Sequence, residues 1–109
     1  MSKRTFGNLW YTVESTETGG QLWKFGFQPE FLRIIRDQCF SSIAREKRVP
    51  RNGLLFSLEM DYGIESFESP VTGDLRNISE YLMDCPEKLT EHDQIFTLFV
   101  DPVHALPQL

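Results

Sequence analysis

Residues 53–73, GLLFSLEMDYGIESFESPVTG, limit what this chain can fold into more than any other stretch. Two apolar-patterned runs meet at Asp61-Tyr62-Gly63 and are followed by Pro70-Val71-Thr72-Gly73, which predicts a strand, a tight turn and a second strand. On the first arm Leu54, Phe56 and Leu58 alternate with Leu55, Ser57 and Glu59, the period of two expected where one face of a strand is the more buried. On the second arm Phe67 stands alone among Glu65, Ser66, Glu68 and Ser69, so one large ring should anchor an otherwise polar segment. Gly63 tolerates a positive φ, which a two-residue hairpin turn commonly demands. Tyr62 is thereby placed at the apex.

The remaining segments predict a mainly β domain with short helical inserts. A first strand over residues 9–13 and a turn over residues 16–20 lead into Leu22-Trp23-Lys24-Phe25-Gly26-Phe27. The aromatics at 23, 25 and 27 share one face of that strand and should enter the core. Pro29 suits a helix start, with Phe31, Leu32, Ile34 and Ile35 on a broad apolar face that ends at Asp37-Gln38. Residues 38–43 predict a short strand, residues 45–53 an exposed loop ending in an Asn52-Gly53 turn, and residues 74–78 another short strand. Pro86 starts a short helix, with Asp84 favouring the positive end of its dipole. Residues 95–100 are apolar on both faces, as in a central, well-covered strand.

The order and spacing of these segments resemble a known family. Glu59-Met60-Asp61-Tyr62-Gly63, Phe67 and Pro70-Val71-Thr72-Gly73 are similar to the swinging-arm hairpin of lipoyl and biotinyl domains, where Glu-x-Asp-Lys-Ala precedes Pro-Val-Ser-Gly. Tyr11-Thr12-Val13, Phe25-Gly26-Phe27-Gln28-Pro29-Glu30, Ile34-Ile35-Arg36-Asp37, Leu55-Phe56-Ser57-Leu58-Glu59, Leu82-x-x-x-Pro86-Glu87-x-Leu89 and Ile95-Phe96 resemble, in this order, the glycine cleavage system H protein, over roughly residues 8–100. The resemblance implies a barrel-sandwich hybrid of two antiparallel sheets and a single domain over residues 1–109. It also implies a C-terminal helix after the last strand, which residues 101–109, broken by Pro102 and Pro107, should not form. An apolar surface left exposed there would suit self-association, so a homo-oligomer is among the expectations.

One departure from the family decides the chemistry. The family attaches lipoic acid by an amide to a lysine at the hairpin tip, and Tyr62 occupies that position. A phenol forms no such amide, and its hydroxyl, with an ordinary pKa of about 10, is a protonated and weak nucleophile at neutral pH. No lysine lies between Lys47 and Lys88. The expectation is a carrier fold without its arm and without a cofactor, not an enzyme, acting as a protein-binding or regulatory module. Its partner surface would comprise Glu59, Asp61, Tyr62, Gly63 and Glu65. Tyr62 is either an interface anchor or a neutral surface replacement of the lost lysine. The acidic flanks suit a basic cleft, such as that of an enzyme which receives carrier domains. The alternative is a carrier in glycine cleavage or lipoate metabolism with an attachment at another position.

Charge and composition narrow the remaining classes. Eleven basic against sixteen acidic side chains give a net charge of −5, which argues against a nucleic-acid surface. Arg45, Lys47, Arg48 and Arg51 form the one basic patch, expected to be a solvated loop. No targeting segment or apolar stretch of membrane-spanning length is visible, so the expected location is cytoplasmic with no membrane partner. Cys39 and Cys85 are expected to be packing thiols. Glu91-His92-Asp93 forms a titratable cluster whose consecutive side chains should diverge rather than hold a metal. Cys39 with His92 or His104 is the least favoured constellation, that of a small Cys/His enzyme.

Overall fold

The computed structural model describes residues 3–107, the side chains at positions 40 and 41 excepted. Its strands are β1 (Arg4–Phe6), β2 (Leu9–Ser15), β3 (Gln21–Phe27), β4 (Cys39–Ile43), β5 (Lys47–Val49), β6 (Leu54–Met60), β7 (Gly63–Glu68), β8 (Gly73–Arg76) and β9 (Phe96–Val100). Helices α1 (Pro29–Gln38) and α2 (Glu80–Asp84) and a 3₁₀ turn at Pro86–Lys88 complete it. Six strands form one antiparallel sheet in the order β1-β2-β3-β9-β8-β5, and three form a second, β4-β6-β7. The expectation of a mainly β, two-sheet, sandwich-like fold with short helices is met.

Alternation along β3 builds the core. Trp23, Phe25 and Phe27 point inward and are buried, as their spacing predicts. Phe25 stacks on Phe96 of β9 with ring centres 4.6 Å apart, and Phe27 meets Phe31, Phe56 and Phe67 edge-on or tilted. Phe67 lies against Phe56 at 4.5 Å and 7°, so the single anchor of the second hairpin arm is held by the first. Contacts of this kind add about 0.5–1.5 kcal/mol each to the burial of apolar area. On the opposite face of the large sheet, Trp10 lies over Gly26, its partner in register. A Cβ at Gly26 would sit 2.2 Å from the indole ring, so only glycine permits this contact. The indole N–H donates to the Glu91 carbonyl at 2.9 Å, tying β2 to the loop before β9.

Strands β5 to β8 form one long ribbon that turns a corner. Its base, β5 with β8, belongs to the large sheet, and its upper part, β6 with β7, belongs to the small one. Asn52, whose φ is 67°, stands at the corner, where its N–H donates to Ser69 O at 2.7 Å and the Ser69 N–H donates to Gly53 O at 2.8 Å. Pairing therefore persists through the bend. The ribbon ends at the Asp61-Tyr62 turn.

Several expectations are corrected. Residues 45–53 are not wholly a loop, since β5 pairs with β8 and buries Val49. The alternation predicted for Leu54, Phe56 and Leu58 fails at its first member. Leu54 opposes Glu68 and Phe56 opposes Phe67, so Leu55 is an extra residue, a β-bulge that buries Leu55 and turns Leu54 outward. Ile34 is partly exposed, leaving Phe31, Leu32 and Ile35 as the buried face of α1. The strand expected over residues 74–78 runs over Gly73–Arg76 and stops where Asn77 takes φ 56°. Phe99 is partly exposed on β9, so the strand is central but not fully covered. Cys39 and Cys85 are half-buried rather than buried, and Cys39 packs against the core as a packing thiol would.

Candidate functional site

The hairpin tip is rigidly placed. Met60 is buried and pairs with Cys39 on one side and Gly63 on the other, so β4, β6 and β7 remain zipped to the end of the ribbon. The Asp61 N–H donates to the Gln38 carbonyl at 3.0 Å, fastening the turn to the last residue of α1. Gly63 takes φ 135°, while Asp61 and Tyr62 avoid positive φ. The backbone freedom therefore lies just past the apex, at the glycine. Glu59 and Asp61 are exposed, Glu65 is half-buried and Tyr62 is 59% exposed.

Within this frame Tyr62 is restrained rather than reactive. Its hydroxyl donates to Glu65 Oε2 at 3.1 Å. Partial loss of solvent, then that hydrogen bond and the carboxylate charge, raise its pKa above the ordinary tyrosine value. The proton is held more firmly than in a free phenol, which disfavours use of the oxygen as a nucleophile. The structure thus brings Tyr62 and Glu65 together and places Glu59 and Asp61 around them.

A residue outside the expected set adds apolar area to the tip. Ile64 is 71% exposed and pairs in register with Glu59. Its exposure was accessible from the pattern: once Phe67 points inward, a period of two turns Ile64 outward. Tyr62 and Ile64 thus present apolar surface among carboxylates, a composition suited to an apolar surface with a basic rim.

The other titratable groups singled out in the sequence lie on different elements. Glu91 Oε1 lies 3.6 Å from His92 Nε2, but the Asp93 carboxylate accepts the Thr90 N–H at 2.8 Å. Glu91 and His92 therefore stay side by side, while Asp93 is turned back onto the Thr90 backbone. His104 Nδ1 lies 2.8 Å from Asp101 Oδ1, and Cys39 sits beside the hairpin tip, so the candidate Cys/His constellation is divided among a strand, a loop and a tail. Among the described residues no group of three or more His, Cys, Asp or Glu side chains is placed to hold a metal. No helix there is long and apolar enough to cross a membrane.

The basic patch is also divided. Arg48 bridges Asp74 at 3.3 Å and Asp101 at 3.0 Å, whereas Arg45 and Lys47 line a groove beside β4 and β6. Hydrogen bonds from Arg48 and then His104 hold the Asp101 carboxyl at a pKa of about 2. This cluster fixes the start of the segment after β9. The Gln21 amide fixes its end, donating to Leu106 O at 2.6 Å and accepting from the Leu106 N–H at 3.1 Å. Leu106 packs against the core, so a segment that turns at residues 102–104 covers part of the surface expected to be left open. Gln21 also accepts from the Trp23 indole N–H at 3.0 Å, and its buried amide is thereby bonded on both sides.

No protein-family model matches this chain, and no curated protein shows significant similarity to it.

Proposed function

We propose that this chain is a non-lipoylated domain similar to the glycine cleavage system H protein, and that it acts as a protein-binding or regulatory module through the β6–β7 hairpin. The observation that carries this proposal is the rigid presentation of Tyr62 and Ile64, both more than half exposed, at a tip bordered by Glu59, Asp61 and Glu65. Preorganisation reduces the entropy lost on docking, because the turn is already fastened to α1 and the Tyr62 hydroxyl to Glu65. The partner's matching surface is apolar at its centre and basic at its rim. Enzymes that receive carrier domains are the candidates that the resemblance supplies, and the absence of a tip lysine makes the interaction non-covalent.

A photoreactive phenylalanine at position 62 tests this in the native host. The expected result is cross-linking to one defined protein, absent when the same group replaces the exposed Glu17. Equal, diffuse cross-linking from both positions would overturn the proposal.

A further inference from the structure

A groove whose character is opposite to that of the tip lies at the other end of β6. It is lined by Ile43 at the end of β4, Ala44 just after it, Leu54 and Phe56 of β6, and Met83 of α2, and holds about 500 Å³. Ile43 is 72% exposed, and Leu54 and Met83 are partly exposed, so the apolar lining stands open to solvent. Arg45 and Lys47 flank it. Among the described residues neither cation forms an ion pair. On a chain of net charge −5, this is a local reversal of sign beside unpartnered apolar area.

The chain itself carries a surface complementary to this groove. The tip offers Tyr62 and Ile64 with Glu59 and Asp61, apolar side chains bordered by carboxylates. Ile43 pairs with Ser57 and Ile64 with Glu59. Ser57 and Glu59 are two residues apart on one strand, so Ile43 and Ile64 share the outer face of the small sheet. Between them that face carries the paired Ser57 and Ser66, whose short side chains permit close approach. From Leu54 in the groove to Met60 beside the tip, β6 runs six steps, about 20 Å at 3.3–3.4 Å per residue. Two such faces laid together with β6 reversed set each tip against the other copy's groove, giving two identical contacts closed by a two-fold axis.

We propose that the basic apolar groove receives the acidic hairpin tip of a second copy, forming a reversible two-fold dimer in which each copy masks the other's docking tip. This deepens the hairpin-docking proposal by assigning the tip one partner surface, and it rests on that proposal. A contact of this small extent is expected to be weak and transient, so that another partner competes with it for the tip.

Light scattering across a concentration series tests this with the whole chain. The mass should rise from 12.7 kDa toward twice that value, and the rise should shrink in about 1 M salt, where the Debye length falls to about 3 Å. Asp61→Lys reverses charge at the tip, and Arg45→Glu with Lys47→Glu reverses it at the groove. Each variant alone should remain monomeric, with melting close to wild type. Mixed in equal amounts they should associate again, because one contact is native and the other carries both reversals. A wild-type chain that stays monomeric throughout overturns the dimer. So does a dimer that survives both variants, or one that is not restored on mixing. Cross-links from position 62 that still reach a different protein would show that only self-association had failed, whereas diffuse cross-linking would remove the docking role itself.

Discussion

At the scale of single residues, stability depends on a few contacts that cannot be resized. Phe67 fills the space between Phe56, Phe27 and Phe31, so Phe67→Ala should cost about 3–5 kcal/mol, measurable by urea denaturation. Gly26→Ala should cost about 1–3 kcal/mol through the opposite fault, by pushing a methyl group into Trp10 and loosening its bond to Glu91. A Gly26→Ala variant with wild-type stability and an undisturbed indole N–H resonance would contradict this packing. Asp101 supplies a pH signature. Its folded pKa of about 2 lies below the ordinary 3.8, so its contribution is fully present above the unfolded value and is lost as pH falls through the folded one. Titration of the Asp101 carboxyl carbon by NMR should give the low midpoint in the wild type. A return toward 3.8 is expected in Arg48→Ala, since Arg48 is the largest cause. An ordinary midpoint in the wild type would show that the Arg48 and His104 contacts do not persist in solution.

Among the elements, the hairpin carries both the family resemblance and the functional proposal. Its existence, apex and inward ring are legible in sequence because turn chemistry and a period of two act over short distances. The bulge at Leu55 is not, because nothing local distinguishes an extra residue in one strand from a continued alternation. Strand β5 is hidden for a different reason. Lys47, Arg48 and Val49 have a loop's composition, and pairing with β8 across the ribbon, rather than intrinsic preference, makes them a strand. The Gln21 clamp on Leu106 and the Arg48 bridge to Asp101 span most or half of the chain, beyond any local pattern. At the candidate site, Tyr62 and its acidic neighbours were legible, while Ile64 required the face assignment of Phe67 to be carried three residues back. If the hairpin presents position 62 as carrier domains present their lysine, Tyr62→Lys should become a substrate for a lipoate ligase in vitro. Wild type should gain no mass under the same conditions. A folded Tyr62→Lys variant that the ligase never modifies would mean that the tip geometry differs from that of a carrier.

For the molecule as a whole, two antiparallel sheets and a bent ribbon place one acidic, apolar tip at the end of a well-supported arm, with a basic, apolar groove at the other end of β6. Apolar spacing specifies the class of such a fold, since it fixes which faces must be buried. The electrostatic division of the surface follows from tertiary placement: the basic run separates only when β5 joins the large sheet, turning Arg48 to Asp74 and Asp101 and leaving Arg45 and Lys47 at the groove. The central claim is that this scaffold docks through its hairpin without a covalent arm. Intact mass of the protein isolated from its own host, with peptide mapping across residues 53–73, tests it most directly. An unmodified mass and an unmodified Tyr62 peptide are expected. A lipoyl-sized or other stoichiometric adduct on the chain would contradict it and would locate the group that the carrier chemistry uses.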